Sequence, residues 1–159
     1  MARVLIVGCG CRGQVLAGEL RAAGHAVRGT TRDRERLPAI AAAGAEPYLG
    51  DPDRIATLME ALTGVTIVCW LMGTAEGAPE LHDGRLRMLW EKLVDTPVRG
   101  VVYEAAGPLD PDVYARGRSV AAAAHATWMI PLRVLEADPA DHPGWRERAV
   151  EAVSSLLGG

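Results

Sequence analysis

Gly8-Cys9-Gly10-Cys11-Arg12-Gly13 near the start of the chain spells G-x-G-x-x-G. It lies between a continuous apolar run, Val4-Leu5-Ile6-Val7, and a stretch of helical pattern. In that context the three glycines have separate tasks. Gly8 permits the tight turn. Gly10 lets a pyrophosphate approach the backbone, and Gly13 lets the helix pack close to the strand. The N–H groups at the helix start carry partial positive charge and suit phosphate. The chemistry implied is the cradling of a dinucleotide. A tight turn that holds no ligand, and a methyltransferase-type glycine loop, are the rival readings of the same residues.

A second group follows about twenty residues later, Thr30-Thr31-Arg32 and then Asp33. An acid at this place holds a ribose 2′-hydroxyl, whereas an arginine suits a 2′-phosphate. Arg32 can pair with such a phosphate, and the hydroxyls of Thr30 and Thr31 can donate to it. Arg12, within the loop, is expected near the same phosphate. These residues favour NADP over NAD. Asp33 is read as a helix N-cap.

These groups need a scaffold, and the apolar pattern supplies one. Short runs at Val4–Val7, Ala26–Thr31, Ala45–Leu49, Val65–Cys69, Gly100–Tyr103 and Ile130–Leu135 read as six strands. Helical patterns alternate with them. The first runs from about Arg12 to Ala23, the second from Asp33 to Ala43, and the third from Asp51 to Leu62. The fourth carries Leu86, Leu89, Trp90 and Leu93 on one face. The fifth runs from Asp110 or Asp112 to Thr127, and the last is lined by Ala149, Val153, Leu156 and Leu157. Parallel neighbours require crossovers, so six βα units predict a doubly wound α/β Rossmann sheet in the order 3-2-1-4-5-6. A single domain over residues 1–159 is expected.

The segments Val4–Gly10, Ala23–Arg32 and Gly50-Asp51 resemble the atypical short-chain dehydrogenase/reductase group, which includes NmrA-like and nucleoside-diphosphate-sugar epimerase-like proteins. The resemblance implies an NAD(P)-binding domain with Asp51 beside the adenine. It implies that Cys69-Trp70-Leu71-Met72-Gly73 and Glu104-Ala105-Ala106-Gly107 flank the ribose and nicotinamide, with Trp70 and Leu71 at the cofactor and the Trp70 ring at the crevice edge. Members with a full catalytic set carry Ser near the end of strand five and Tyr-x-x-x-Lys on the next helix. This chain has Glu104-Ala105-Ala106 and Tyr114-Ala115-Arg116-Gly117-Arg118 instead. Tyr114 is the candidate acid, Arg118 its electrostatic support on the same helix face, and Glu104 a carboxylate near the substrate.

Cys9 and Cys11 read as small residues filling a tight loop. The alternative is a pair of redox-sensitive thiols at a helix N-terminus. No metal site is expected, because a third ligand is available only in Cys69. His82 follows the loop Gly73–Pro79, which is read as a surface segment with a solvated histidine or as a lid. His125 is assigned to helix packing or an interface. The small residues Ala121–Ala124 would allow a helix–helix homodimer contact, or else face the core.

Composition bounds the rest. The chain has 159 residues, 49% hydrophobic and 23% charged, with a net charge of −3 and no Phe. That balance argues against disorder and against nucleic-acid or anionic-membrane partners. No apolar run is long enough to span a bilayer. Three cysteines, an odd number, fit a reducing cytoplasm. The length leaves no room for a separate catalytic domain, so the fold is expected to be complete within it. The expected ligand is a small molecule. The expected function is NAD(P) binding, with hydride transfer between NADP(H) and a small carbonyl or alcohol as the enzymatic form. A non-catalytic nucleotide-sensing or regulatory role is the alternative.

Overall fold

Every residue of Leu5-Ile6-Val7 is fully buried, as a strand covered on both faces requires. In a computed structural model, which describes residues 2–76 and 78–158, this run is the centre of the sheet. The strands are β1 (Arg3–Val7), β2 (Ala26–Thr31), β3 (Glu46–Leu49), β4 (Ile67–Trp70), β5 (Gly100–Glu104) and β6 (Leu132–Leu135). All pair in parallel, in the order β3-β2-β1-β4-β5-β6. The expected six-stranded doubly wound topology is the observed one.

Five α-helices cover the two faces: α1 (Cys11–Ala22), α2 (Leu37–Ala42), α3 (Gly84–Leu93), α4 (Pro111–Trp128) and α5 (His142–Gly158). Strand alternation sorts the core into two layers. Val4, Ile6, Ile67, Cys69 and Val102 pack with α1, α2 and α5. Leu5, Val7, Val68, Trp70, Val101 and Tyr103 pack with α3, α4 and the segment containing Ile55, Leu58 and Leu62.

Two expectations about elements are corrected. The helix read over Asp51–Leu62 is a 3₁₀ turn at Ile55–Leu58 followed by further turns. Local side-chain bonds compete with the helix there. Thr57 Oγ1 donates toward the carbonyls of Asp51 and Arg54, and the Asp53 N–H donates to Asp51 Oδ1. The helix after Asp33 likewise opens as a 3₁₀ turn, Arg34–Arg36, capped by the Asp33 side chain. The alanine stripe divides: Ala121 and Ala124 face the core, while Ala122 and Ala123 face outward. Among the described residues no helix is long and apolar enough to cross a membrane.

Candidate functional site

The order reversal between β1 and β4 opens a crevice at the carboxyl edge of the sheet, where open α/β sheets bind ligands. A cavity of about 380 Å³ lies there. Gly8, Cys9 and Gly10 line it from the loop, and Thr30, Thr31, Arg32 and Arg36 from the end of β2 and the turn after it. Gly50, Asp51, Pro52 and Asp53 close one side, and Leu71, Met72, Thr74, Ala75 and Leu81 close the other.

The first two glycines of the loop serve different ends. Gly8 has φ +84°, and an added Cβ would run into Met72 and meet the Leu71 carbonyl oxygen at 2.8 Å. Only glycine fits without strain. Its N–H donates to Thr30 Oγ1 at 3.2 Å, and the Cys9 N–H donates to the Thr30 carbonyl at 2.8 Å. The second strand thus holds the loop. Gly10 differs, because nothing lies within 4 Å of the position its Cβ would take. It faces open cavity, and α1 begins immediately after it with no side-chain cap. Uncapped N–H groups beside open space fit a pyrophosphate.

At the β2 end Arg32 and Arg36 both line the cavity. Arg32 has no salt-bridge partner among the described residues, while Arg36 lies 3.7 Å from Asp33. Arg36 was absent from the sequence reading. Its spacing of four from Arg32 was the available signal, since residues three or four apart share a helical side. Asp51 is part of the cavity wall. Thr30 is 1% exposed, and its hydroxyl is turned to the Gly8 N–H as a brace for the loop. The Thr31 hydroxyl accepts from the Asp33 N–H at 3.1 Å.

Arg12 departs from its expected place. It turns away from the β2 end and crosses to Glu104, with Nη2 2.8 and 3.0 Å from the two carboxylate oxygens. Glu104 is fully buried and accepts two further bonds, from the Gly73 N–H and from Trp145 Nε1, each at 2.8 Å. The Arg12 guanidinium lies 5.2 Å from the Trp145 ring centroid. One carboxylate therefore ties together β5, the start of α1, the loop after β4 and the start of α5. Cys11 and Arg12 line a different, smaller cavity of about 230 Å³ with Val15 and the first residues of α5. Gly13 is enclosed against Ile6 and the Gly8 carbonyl, the close helix–strand approach expected of it.

The other candidates for catalysis are also engaged. Tyr114 is buried, donates to the Gly73 carbonyl at 2.5 Å and accepts from the Leu109 N–H at 3.1 Å. Burial pushes its hydroxyl pKa above the ordinary value. Arg118 does not support it, because that guanidinium faces Glu136 at 3.8 Å on the exposed side of α4. Trp70 does not reach the crevice either. It is fully buried, and its indole N–H donates to the Leu81 carbonyl at 2.9 Å. Leu71, next in sequence, does line the cavity.

His82 is not solvated. It is 1% exposed, with Nε2 3.0 Å from the Met72 carbonyl and Nδ1 2.5 Å from the Tyr103 hydroxyl. A carbonyl only accepts, so Nε2 carries the proton and Nδ1 accepts from Tyr103. Burial holds the ring neutral by lowering its pKa. Cys9 is buried, and burial pushes its thiol up to about 12, which removes the thiolate that a redox role needs. Cys69 is pushed up to about 12 as well, by burial and by Cys9, whereas Cys11 is exposed. The His125 Nδ1 lies 2.7 Å from the Ile130 carbonyl, an assignment to local packing.

No family model matches the chain, and no curated protein matches it. Solved structures do. A protein described as an NAD-dependent epimerase/dehydratase from Bacillus halodurans superposes at TM-score 0.73 and 18% identity, over 87% of this chain and 71% of that one. The fold is shared. Citrobacter sp. triphenylmethane reductase, solved with NADP(H), gives 0.65 and 20% over 84% and 48%. Vestitone reductase from alfalfa gives 0.67 and 14% over 86% and 56%. The chain thus spans about half the length of the two reductases. The neighbours are the epimerase/dehydratase and reductase kind that the sequence resembles, and at these identities the likeness is one of fold.

Proposed function

We propose that this chain binds a nicotinamide dinucleotide, NADP in preference to NAD, in the crevice over β1 and β4. The observation that carries the reading is Gly10, whose missing side chain faces open cavity at the uncapped start of α1. The loop backbone would hold the pyrophosphate, Asp51 would lie beside the adenosine, and Arg32 and Arg36 would pair with a 2′-phosphate. When bound, the nicotinamide supplies hydride donor and acceptor chemistry.

The engaged state of Tyr114, Arg118 and Glu104 favours a nucleotide-binding role without hydride transfer. Tyr114 already donates its only proton to a backbone carbonyl. Glu104 already accepts from Arg12, Gly73 and Trp145. Hydride transfer to a small carbonyl is the second reading, favoured by the likeness to two reductases. Calorimetric titration with NADPH, NADH and adenosylmethionine tests the ligand. Tightest binding of NADPH is expected, and tighter binding of adenosylmethionine overturns the proposal. Incubation of the NADPH-loaded protein with a carbonyl panel tests the role. No oxidation of NADPH is expected, and turnover abolished by Tyr114→Phe would establish the second reading.

A further inference from the structure

A dinucleotide spans the two halves of a doubly wound sheet, one nucleotide on each side of the order reversal. The two halves of this crevice are unequally open. On the β2–β3 side the cavity wall is continuous from Gly8 through Arg32 to Asp53. On the β5–β6 side the wall ends. None of Cys11, Arg12, Glu104, Ala105 or Tyr114 lines the cavity.

Three contacts close that side. The Gly73 N–H and carbonyl are both taken, by Glu104 and by Tyr114, so the loop after β4 is bonded directly to the end of β5 and to the first turn of α4. An added Cβ on Gly73 would meet the Glu104 side chain at 2.8 Å and run into the Ala106 carbonyl oxygen, so the loops after β4 and β5 touch. Above them the Arg12 guanidinium spans from α1 to Glu104, beside Trp145. A ring entering there would displace Arg12 from a fully buried carboxylate and leave that charge short of its partner, which is strongly unfavourable.

From this asymmetry, and resting on the dinucleotide reading above, we infer that the site recognises the 2′-phosphoadenosine diphosphate half of the ligand and does not distinguish the nicotinamide or its oxidation state. The ligand class is then any adenosine carrying a 5′-diphosphate and a 2′-phosphate. The protein reads how much of this nucleotide is present, and not how reduced it is.

Calorimetry on the full chain with NADP⁺, NADPH, 2′-phospho-ADP-ribose and adenosine 2′,5′-bisphosphate tests the inference. The first three are expected to bind within about threefold of one another. A loss of about tenfold on removing the nicotinamide, or an equal gap between NADP⁺ and NADPH, overturns the inference and leaves the dinucleotide reading standing. Failure of all four compounds to bind overturns both.

Discussion

Arg12 and Glu104 are 92 residues apart in sequence, yet the arginine Nη2 lies 2.8 Å from a carboxylate that has no solvent exposure. The pair fixes the first turn of α1 against the end of β5. It also places a positive charge beside the glycine loop and neutralises a charge that could not otherwise be buried.

Glu104→Gln tests that pair. The amide keeps an acceptor for the Gly73 N–H but turns donors toward Arg12 or Trp145, which offer only donors. Loss of about 3 kcal/mol in chemical denaturation is expected. An unchanged midpoint would mean that the carboxylate does not hold these four segments.

Gly8→Ala is expected to cost about 1–3 kcal/mol, because alanine must take φ +84° with its methyl driven into Met72. Thermal or urea unfolding measures it. Stability within error of the wild type would contradict the tight-turn role.

Arg32→Ala is expected to weaken NADP⁺ binding by about tenfold, or about 1.4 kcal/mol, while NAD⁺ binding changes little. Arg36→Ala should act in the same direction but more weakly, since Arg36 is partly spent on Asp33. Equal losses for both dinucleotides would remove the two arginines from 2′-phosphate recognition.

His82 makes stability depend on pH. Its pKa in the folded state is lowered from 6.5, by burial first, against the Met72 hydrogen bond that raises it. Below the unfolded value of 6.5 the unfolded chain takes up a proton that the folded chain refuses. This contribution is full above that pH and is lost as the pH falls toward the folded value. Denaturation midpoints of the wild type and His82→Asn between about pH 7 and 5 check it. The wild type should show the steeper acid loss, and identical slopes would contradict the buried neutral ring.

Much of this arrangement was legible in sequence, because its signals are local. The strand run Val4–Val7, the glycine spacing and the alternation of β and α periods each lie within a few neighbours, and they specified the sheet order. What was not legible depends on partners far apart in the chain. Arg12 could have turned to either side of the loop; Glu104 decides it. His82 sits in a polar, glycine-containing segment, and only Tyr103 from β5 and the Met72 carbonyl make its burial favourable. The resemblance placed Trp70 at the crevice edge. The parity of β4 sends Trp70 into the layer with α3 and α4, opposite to Cys69. The failed helix at Asp51–Leu62 had the right apolar spacing, but the Thr57 hydroxyl took the carbonyls that a helix would have used.

The central claim is that the crevice over Gly10 holds the phosphates of a dinucleotide. Titration of NADP⁺ into the wild type and Gly10→Ala, with unfolding measured on both, tests it most directly. The Gly10 backbone, at φ −83°, accepts an alanine, and its methyl would meet no protein atom within 4 Å. The account predicts unchanged stability with binding weakened by about tenfold or more. Undiminished binding in a stable Gly10→Ala protein would contradict it.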